Sequence, residues 1–204
     1  LQTYQLVFLM SKAEITRKMI LQKSFDLIYR QGYQATSIDT ILATTQVTKG
    51  AFFYHFKSKD DMGLAMINEI VYPGMYETLV KPLQLADSPI QDIYTMMKNL
   101  LFKVPFMTAK YGCPVVNLIE EMSPVNESFK KALLKLTDQW QSAIAQNLEM
   151  GKEKGEIRAD VDAGQVACFV IAGYSGIRNM GKAAGAGCYE IFLQEFKNYL
   201  NRLS

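Results

Sequence analysis

Histidine is almost absent from this 204-residue chain, cysteine is sparse, and no long apolar run occurs. His55 stands alone, and Cys113, Cys168 and Cys188 are scattered. Such a set cannot make a metal site of ordinary spacing, and it leaves no Ser-His-Asp or Cys-His pair in the last two thirds of the chain. There is no HExxH motif, no phosphate-binding P-loop and no dinucleotide-binding glycine pattern. These absences argue against an enzyme, against a metal and against a bound cofactor. Three dispersed cysteines are also too few for a disulfide framework, so a reducing cytoplasm is the expected setting. No apolar stretch approaches the roughly 18 residues that would mark a membrane span. The opening LQTYQLVFLM has no basic segment and no small-residue cleavage site, so it does not read as a signal peptide. Met10 followed by Ser11-Lys12 looks like a natural start, and residues 1–10 are read as an extension or a cloning remnant.

Charge of one sign is lacking too, because the net charge is only +2. Its distribution is uneven. Residues 11–60 carry eight Lys/Arg against four Asp/Glu, whereas the remainder carries 14 against 16. The basic excess falls where one stretch stands out, Thr36 to Asp60, TSIDTILATTQVTKGAFFYHFKSKD. Ile38, Ile41 and Leu42 recur at helical spacing behind a Thr36 or Ser37 cap, with Asp39 in the first turn. Val47 fits a plug in a tight turn. Thr48 caps a second helix, Lys49 to Phe56, in which Phe52 and Phe56 can face inward. Phe53, Tyr54, His55 and Lys49 then face outward, and a solvent face this aromatic implies a partner. Two short helices, a tight turn and local positive charge together read as a helix-turn-helix for double-stranded DNA.

Helical periodicity continues through the rest, and no convincing strand is found. The expected fold is all-α with about nine helices. A three-helix DNA-binding domain (residues 11–57) precedes a helical ligand-binding and dimerisation domain (residues 58–204). The first helix is expected over Glu14–Gln31, ending at Gly32. A fourth begins near Ser58 and is broken or kinked at Pro73-Gly74. A fifth runs from Ser88-Pro89 to about Ala109 with a kink at Pro105. A short sixth follows Gly112-Cys113-Pro114, and a long seventh spans Asn126 to Lys154. The Gly/Ala-rich eighth runs from Asp162 to Ala184, and the ninth from Tyr189 to Leu203.

Gly32-Tyr33, Ala35-Thr36-Ser37, Ile41, Val47, Lys49-Gly50 and Phe53-Tyr54-His55-Phe56-Lys57-Ser58-Lys59 agree in type and gap with one known pattern. Over this first third the chain resembles a TetR/AcrR-family transcriptional regulator. That resemblance implies an all-helical homodimer whose N-terminal helices bind operator DNA and whose C-terminal domain binds a small molecule that releases it.

A weaker resemblance lies in Gly112-Cys113-Pro-Val-Val-Asn117-Leu-Ile-Glu120-Glu121, Gly155 to Asp160 and Tyr174 to Lys182. These look like one branch of the family, some members of which sense reactive electrophiles through the matching cysteine.

The candidate residues follow from both lines of reading. Thr48 and Lys49 open the second helix, where free amides favour a phosphate. Gly50 lets the backbone approach, and Phe53 and Tyr54 can meet a thymine methyl or the sugar–phosphate edge. Gln46 lies just ahead and can reach a base. The resemblance adds His55 and Lys59 as phosphate contacts, and Thr36 and Ser37 complete the set. Apart from Lys49 the helix has no Arg, Asn or Gln suited to bidentate base contact, so specificity is expected to lean on DNA shape.

For the effector, Met97, Phe102, Phe106, Asn117, Trp140 and Tyr174 are candidate pocket residues. Cys113 has two readings. One is a small buried apolar residue. The other is a thiol activated by a helix N-terminus, with Asn117 and Glu120 or Glu121 on its face and Lys182 across the pocket as a possible redox or electrophile sensor. The leading reading is a repressor released by a ligand. Its alternatives are release by modification of Cys113, and a helical protein-interaction module without DNA binding. Cys168 and Cys188 read as packing residues.

Overall fold

The structure is a computed structural model that describes residues 11–84 and 87–204; the expectation for residues 1–10 lies outside the described residues. Every regular element among the described residues is helical.

α1 (Lys12–Gln31) starts earlier than its apolar pattern suggests, because Ser11 and Glu14 form a reciprocal capping box. The Ser11 amide donates to Glu14 Oε2 at 2.7 Å and the Glu14 amide to Ser11 Oγ at 3.2 Å. Gly32 ends the helix with φ 90° and ψ 156°, a conformation open essentially to glycine alone. α2 (Ile38–Thr45) is capped by Ser37, whose hydroxyl accepts from the Thr40 amide at 3.0 Å. Gln46 then takes a left-handed conformation, φ 55°, and turns the chain toward α3 (Lys49–His55). Thr48 caps α3 by accepting from the Ala51 amide at 3.1 Å. Phe52 and Phe56 are 0% and 1% exposed, with rings 5.6 Å apart. Burying two such rings stabilises by about 1.5–3 kcal/mol each, which fixes a two-turn helix too short to stand alone.

α4 (Lys59–Met66) packs on α1 and passes through a π-helical turn (Ile67–Val71) into α5 (Tyr72–Leu79) and α6 (Lys81–Gln84). Where a break or kink is expected at Pro73-Gly74, the chain stays helical but changes type just ahead of it. The Tyr72 amide bonds the Ile67 carbonyl, five residues back. This wider turn lets proline, which has no amide to offer and a bulky ring, enter the first turn of α5 without a rupture.

α7 (Pro89–Phe102) stops short of Ala109. Proline disfavours helical backbone in the residue before it, here Val104, so the helix ends ahead of Pro105 and is not kinked by it. α8 (Pro114–Met122) and α9 (Glu127–Glu153) follow, the latter capped by Asn126. Gly155, with φ 74°, turns the chain back. α10 (Ala163–Ala184) is capped by Asp162, and α11 (Gly187–Asn201) closes the fold. Counting the broken run from Lys59 to Gln84 as one helix, the described residues form nine. α9 lies along α10, and α11 packs against α10 and α7. Their shared core includes Trp140 and Tyr174, whose rings meet edge to face at 5.2 Å.

Candidate nucleic-acid interface and effector site

α3 has two unlike sides. The buried Phe52 and Phe56 hold one side down. On the other, Lys49, Gly50, Phe53 and Tyr54 are exposed, Tyr54 at 77%. His55 is half-buried, its ring edge-to-face with Tyr54 at 4.9 Å. Gln46, Thr48 and Ser37 are exposed beside them. Lys59 is half-buried, with its ammonium 4.4 Å from the centre of the Tyr33 ring, and burial pulls its pKa down. Thr36 leaves the candidate contact set. It is 0% exposed, and its hydroxyl donates to the Gly32 carbonyl at 2.7 Å. Its role is to close the turn between α1 and α2.

The two ends of α8 touch different parts of the molecule. At its C-terminal end the Glu121 carboxylate accepts from the Tyr33 and Gln34 amides, both at 2.7 Å, while Gln34 Nε2 donates to the Glu121 carbonyl at 3.2 Å. The sequence places Glu121 beside Cys113. The fold turns it instead to the connection between α1 and α2. Close by, the Tyr33 hydroxyl donates to Asp60 at 2.6 Å, and Asn126 donates to the same carboxylate at 3.1 Å. Burial and the neighbouring Asp60 push the Tyr33 phenol up.

At the N-terminal end of α8, Cys113 is 1% exposed and makes no side-chain cap bond. The preceding Gly112 has φ 72°. Its carbonyl accepts from Tyr29 of α1, at 2.9 Å, and from Arg178 of α10. Arg178 is 0% exposed, and Nε and Nη1 have no hydrogen-bond partner among the described residues. The Tyr189 ring lies 5.6 Å from the guanidinium carbon. The Tyr174 phenol is pushed well up by burial, with Cys113 adding to the shift and Arg178 opposing it.

Asn117 is half-buried, donating to the Tyr111 carbonyl at 2.8 Å, while its Oδ1 has no partner among the described residues. Lys182 does lie at this end. Its side chain runs over Gly112 and, with Tyr29, Arg30, Tyr111 and Asn117, lines an open groove of about 410 Å³.

Two of the candidate pocket residues are displaced from the interior. Phe102 is 45% exposed and packs edge-on against Tyr189. Phe106 is 41% exposed and packs against Phe25 and Tyr29. Phe102 is the last residue of α7, and Phe106 lies beyond it in the connection. Met97, Trp140 and Tyr174 are buried and packed against their neighbours; Trp140 Nε1, for instance, points at Met96 Sδ at 3.2 Å. They fill the interior themselves.

The profile described as "Bacterial regulatory proteins, tetR family" matches residues 20–66, and "Tetracyclin repressor-like, C-terminal domain" matches residues 94–189. An uncharacterised HTH-type transcriptional regulator of Lactococcus lactis, from the lacX 3' region, is 37% identical over 133 residues, covering 65% of this chain and 68% of that one. The chain belongs to the TetR family of transcriptional regulators. The repressor DhaR of a Mycobacterium species is 26% identical over 160 residues, 78% of this chain and 79% of its own. A TetR regulator from Chloroflexus aurantiacus superposes with a TM-score of 0.84 at 24% identity, over 95% of this chain and 98% of that one, a likeness of fold.

For a DNA-binding TetR regulator, α2 and α3 are the helix-turn-helix, and no described helix is long and apolar enough to cross a membrane. One group of this regulator, Arg178, escaped the sequence reading, and another, Glu121, was put in the wrong place. Arg178 was detectable, because Val166, Val170 and Tyr174 recur along α10 at helical spacing and the next step lands on Arg178, a charge on the core face. Glu121 gave no such signal, since its partners are backbone amides 87 and 88 residues away.

Proposed function

We propose that this regulator is a homodimeric repressor that holds a near-palindromic operator and lets go when a small molecule binds reversibly in its C-terminal domain. One observation carries the reading. Tyr54 is 77% exposed on a helix whose opposite side is anchored by Phe52 and Phe56 at 0% and 1%. A rigid mount presenting Lys49, Gly50, Phe53, Tyr54 and His55 suits phosphate positioning and apolar contact in a major groove. Lys59, although half-buried, lies close enough to add charge.

The last two long helices support assembly. Phe169, Gly173, Gly176 and Met180 share one side of α10. Phe169 and Met180 are 54% and 58% exposed, and Ile191 of α11 is 74% exposed. Exposed apolar groups beside small residues suit a two-fold helical interface. In such a dimer the two α3 helices would enter successive grooves, roughly 34–36 Å apart or a little more.

The burial of Cys113 favours a reversible effector over rapid modification of this thiol. A gel shift with the DNA upstream of the chain's own gene tests the reading. Specific binding that weakens steeply with salt is the expected result. Binding that ignores salt, or that survives unchanged in Tyr54→Ala, would overturn it in favour of an interaction module.

A further inference from the structure

Arg178 is the least explained group in the molecule. A guanidinium stays charged in a protein and offers five N–H donors, yet this one is 0% exposed and pairs with no carboxylate among the described residues. Among the described residues the acceptor it bonds is the neutral carbonyl of Gly112, while Nε, Nη1 and the hydroxyl of the neighbouring Tyr189 have no partner. A buried charge in this condition is costly unless something anionic meets it. Nη2 carries two hydrogens, and only one of them is needed for Gly112. Whichever it uses, the other completes a two-pronged edge with Nε or with Nη1. That fork matches a carboxylate.

Arg178 lines no open groove itself, but the Gly112 carbonyl that holds it lies under the side chain of Lys182, which does. The groove of about 410 Å³ beside Gly112 is lined by Arg30, Lys110 and Lys182 as well as Glu120 and Glu121. Both carboxylates are engaged, Glu120 by the Asn179 amide group and Glu121 by the two backbone amides. The three cations are in none of the ion pairs of the described residues.

We propose that Arg178 is the anion-recognition residue of the effector site, and that the effector class is a small organic carboxylate. This rests on the ligand-released repressor reading and specifies its ligand. The carboxylate enters past Lys182 and takes the Arg178 fork, with its apolar part left in the groove against Tyr29 and Tyr111. Sharing Nη2 with the Gly112 carbonyl, the carboxylate draws the guanidinium toward itself, since a hydrogen bond between two charged groups is the stronger one, and the carbonyl follows. The Gly112–Cys113 turn then moves, and two things move with it. One is Tyr29 of α1, which bonds the same carbonyl. The other is α8, whose far end holds the connection before α2 through Glu121. Both lead to the helix-turn-helix.

The experiment uses the full chain, with sodium butyrate and sodium benzoate compared with butyramide and benzamide at fixed ionic strength. Binding is read by titration calorimetry and thermal shift, and release by gel shift. At least one carboxylate is expected to bind saturably and at least ten-fold more tightly than its amide, and Arg178→Met should weaken it ten-fold or more. Arg178→Lys, which keeps the charge without the fork, should fall between and guards against a misfolded Met variant. Equal binding of acid and amide, no binding of either acid, or full carboxylate affinity in Arg178→Met would overturn the proposal. Arg178-dependent binding that leaves the DNA complex intact would keep the anion site and sink the released-repressor reading instead.

Discussion

Replacing Glu121 with alanine tests whether α8 couples the two halves of the chain. The carboxylate accepts two backbone amides at 2.7 Å each. Hydrogen bonds to a charged group contribute roughly 1.5–3 kcal/mol apiece. Glu121 is only half-buried and Gln34 is exposed, so water reclaims part of the loss and each bond is discounted to about 1–2 kcal/mol. Glu121→Ala should therefore cost about 2–4 kcal/mol. For a chain of this length about 2–4 °C of Tm accompany each kcal/mol, which gives a drop of roughly 4–16 °C. Glu121→Gln keeps one accepting oxygen but turns an NH2 group toward the second amide, so about 1–3 kcal/mol should be lost. Calorimetric unfolding at matched protein concentration gives the first readout, because assembly shifts apparent stability. Amide exchange at Tyr33 and Gln34 gives the second and should speed up in both variants. A Tm change of less than about 2 °C together with unchanged exchange at those two amides would show that the clamp contributes nothing.

Tyr54→Ala should weaken binding to specific and random DNA alike, by about 1–3 kcal/mol if a phosphate contact is lost; a loss confined to one sequence in competition gel shifts would mean that Tyr54 reads a base. Phe169→Glu places a charge on the exposed apolar side of α10 and should yield monomers in sedimentation velocity, whereas an undisturbed dimer would move the interface elsewhere. Burial holds the phenols of Tyr29, Tyr33, Tyr174, Tyr189 and Tyr199 above their usual 10.0. Their folded pKa values exceed the unfolded ones, so the stability they confer is complete below pH 10 and is lost as pH rises above it through the folded values. Phenolate absorbance should accordingly rise together with the loss of helical circular dichroism in an alkaline titration, and titration of all five phenols ahead of unfolding would contradict their burial.

Helices that stand on local signals were legible in the sequence. Ser37, Thr48, Asn126 and Asp162 each cap a helix through their own side chain, and Phe52 and Phe56 face the core as their spacing of four requires. Prolines misled because their effect depends on neighbours. Pro73 is absorbed by a π-turn, and Pro105 ends α7 instead of bending it. Pocket residues misled for a related reason. Apolar periodicity marks which side of a helix is covered, but it does not say whether the cover is a ligand or another side chain. Met97, Trp140 and Tyr174 are covered by protein, and Phe102 and Phe106 sit at and beyond the end of α7.

Apart from Lys182 beside Gly112, the long-range contacts were not legible. Tyr29 meets Gly112 across 83 residues, Arg178 meets it across 66, and Glu121 reaches back 88 to Tyr33. Each of them meets a backbone group, which leaves no complementary residue type in the sequence to betray the pairing. Yet these three contacts place one glycine carbonyl between α1 and α10, and one short helix between that carbonyl and the helix-turn-helix. A core that is close-packed passes displacements along such a path and does not absorb them. The polar groups at its two ends, Arg178 and Glu121, are therefore where a signal in the C-terminal domain can be converted into a change of pose for α3.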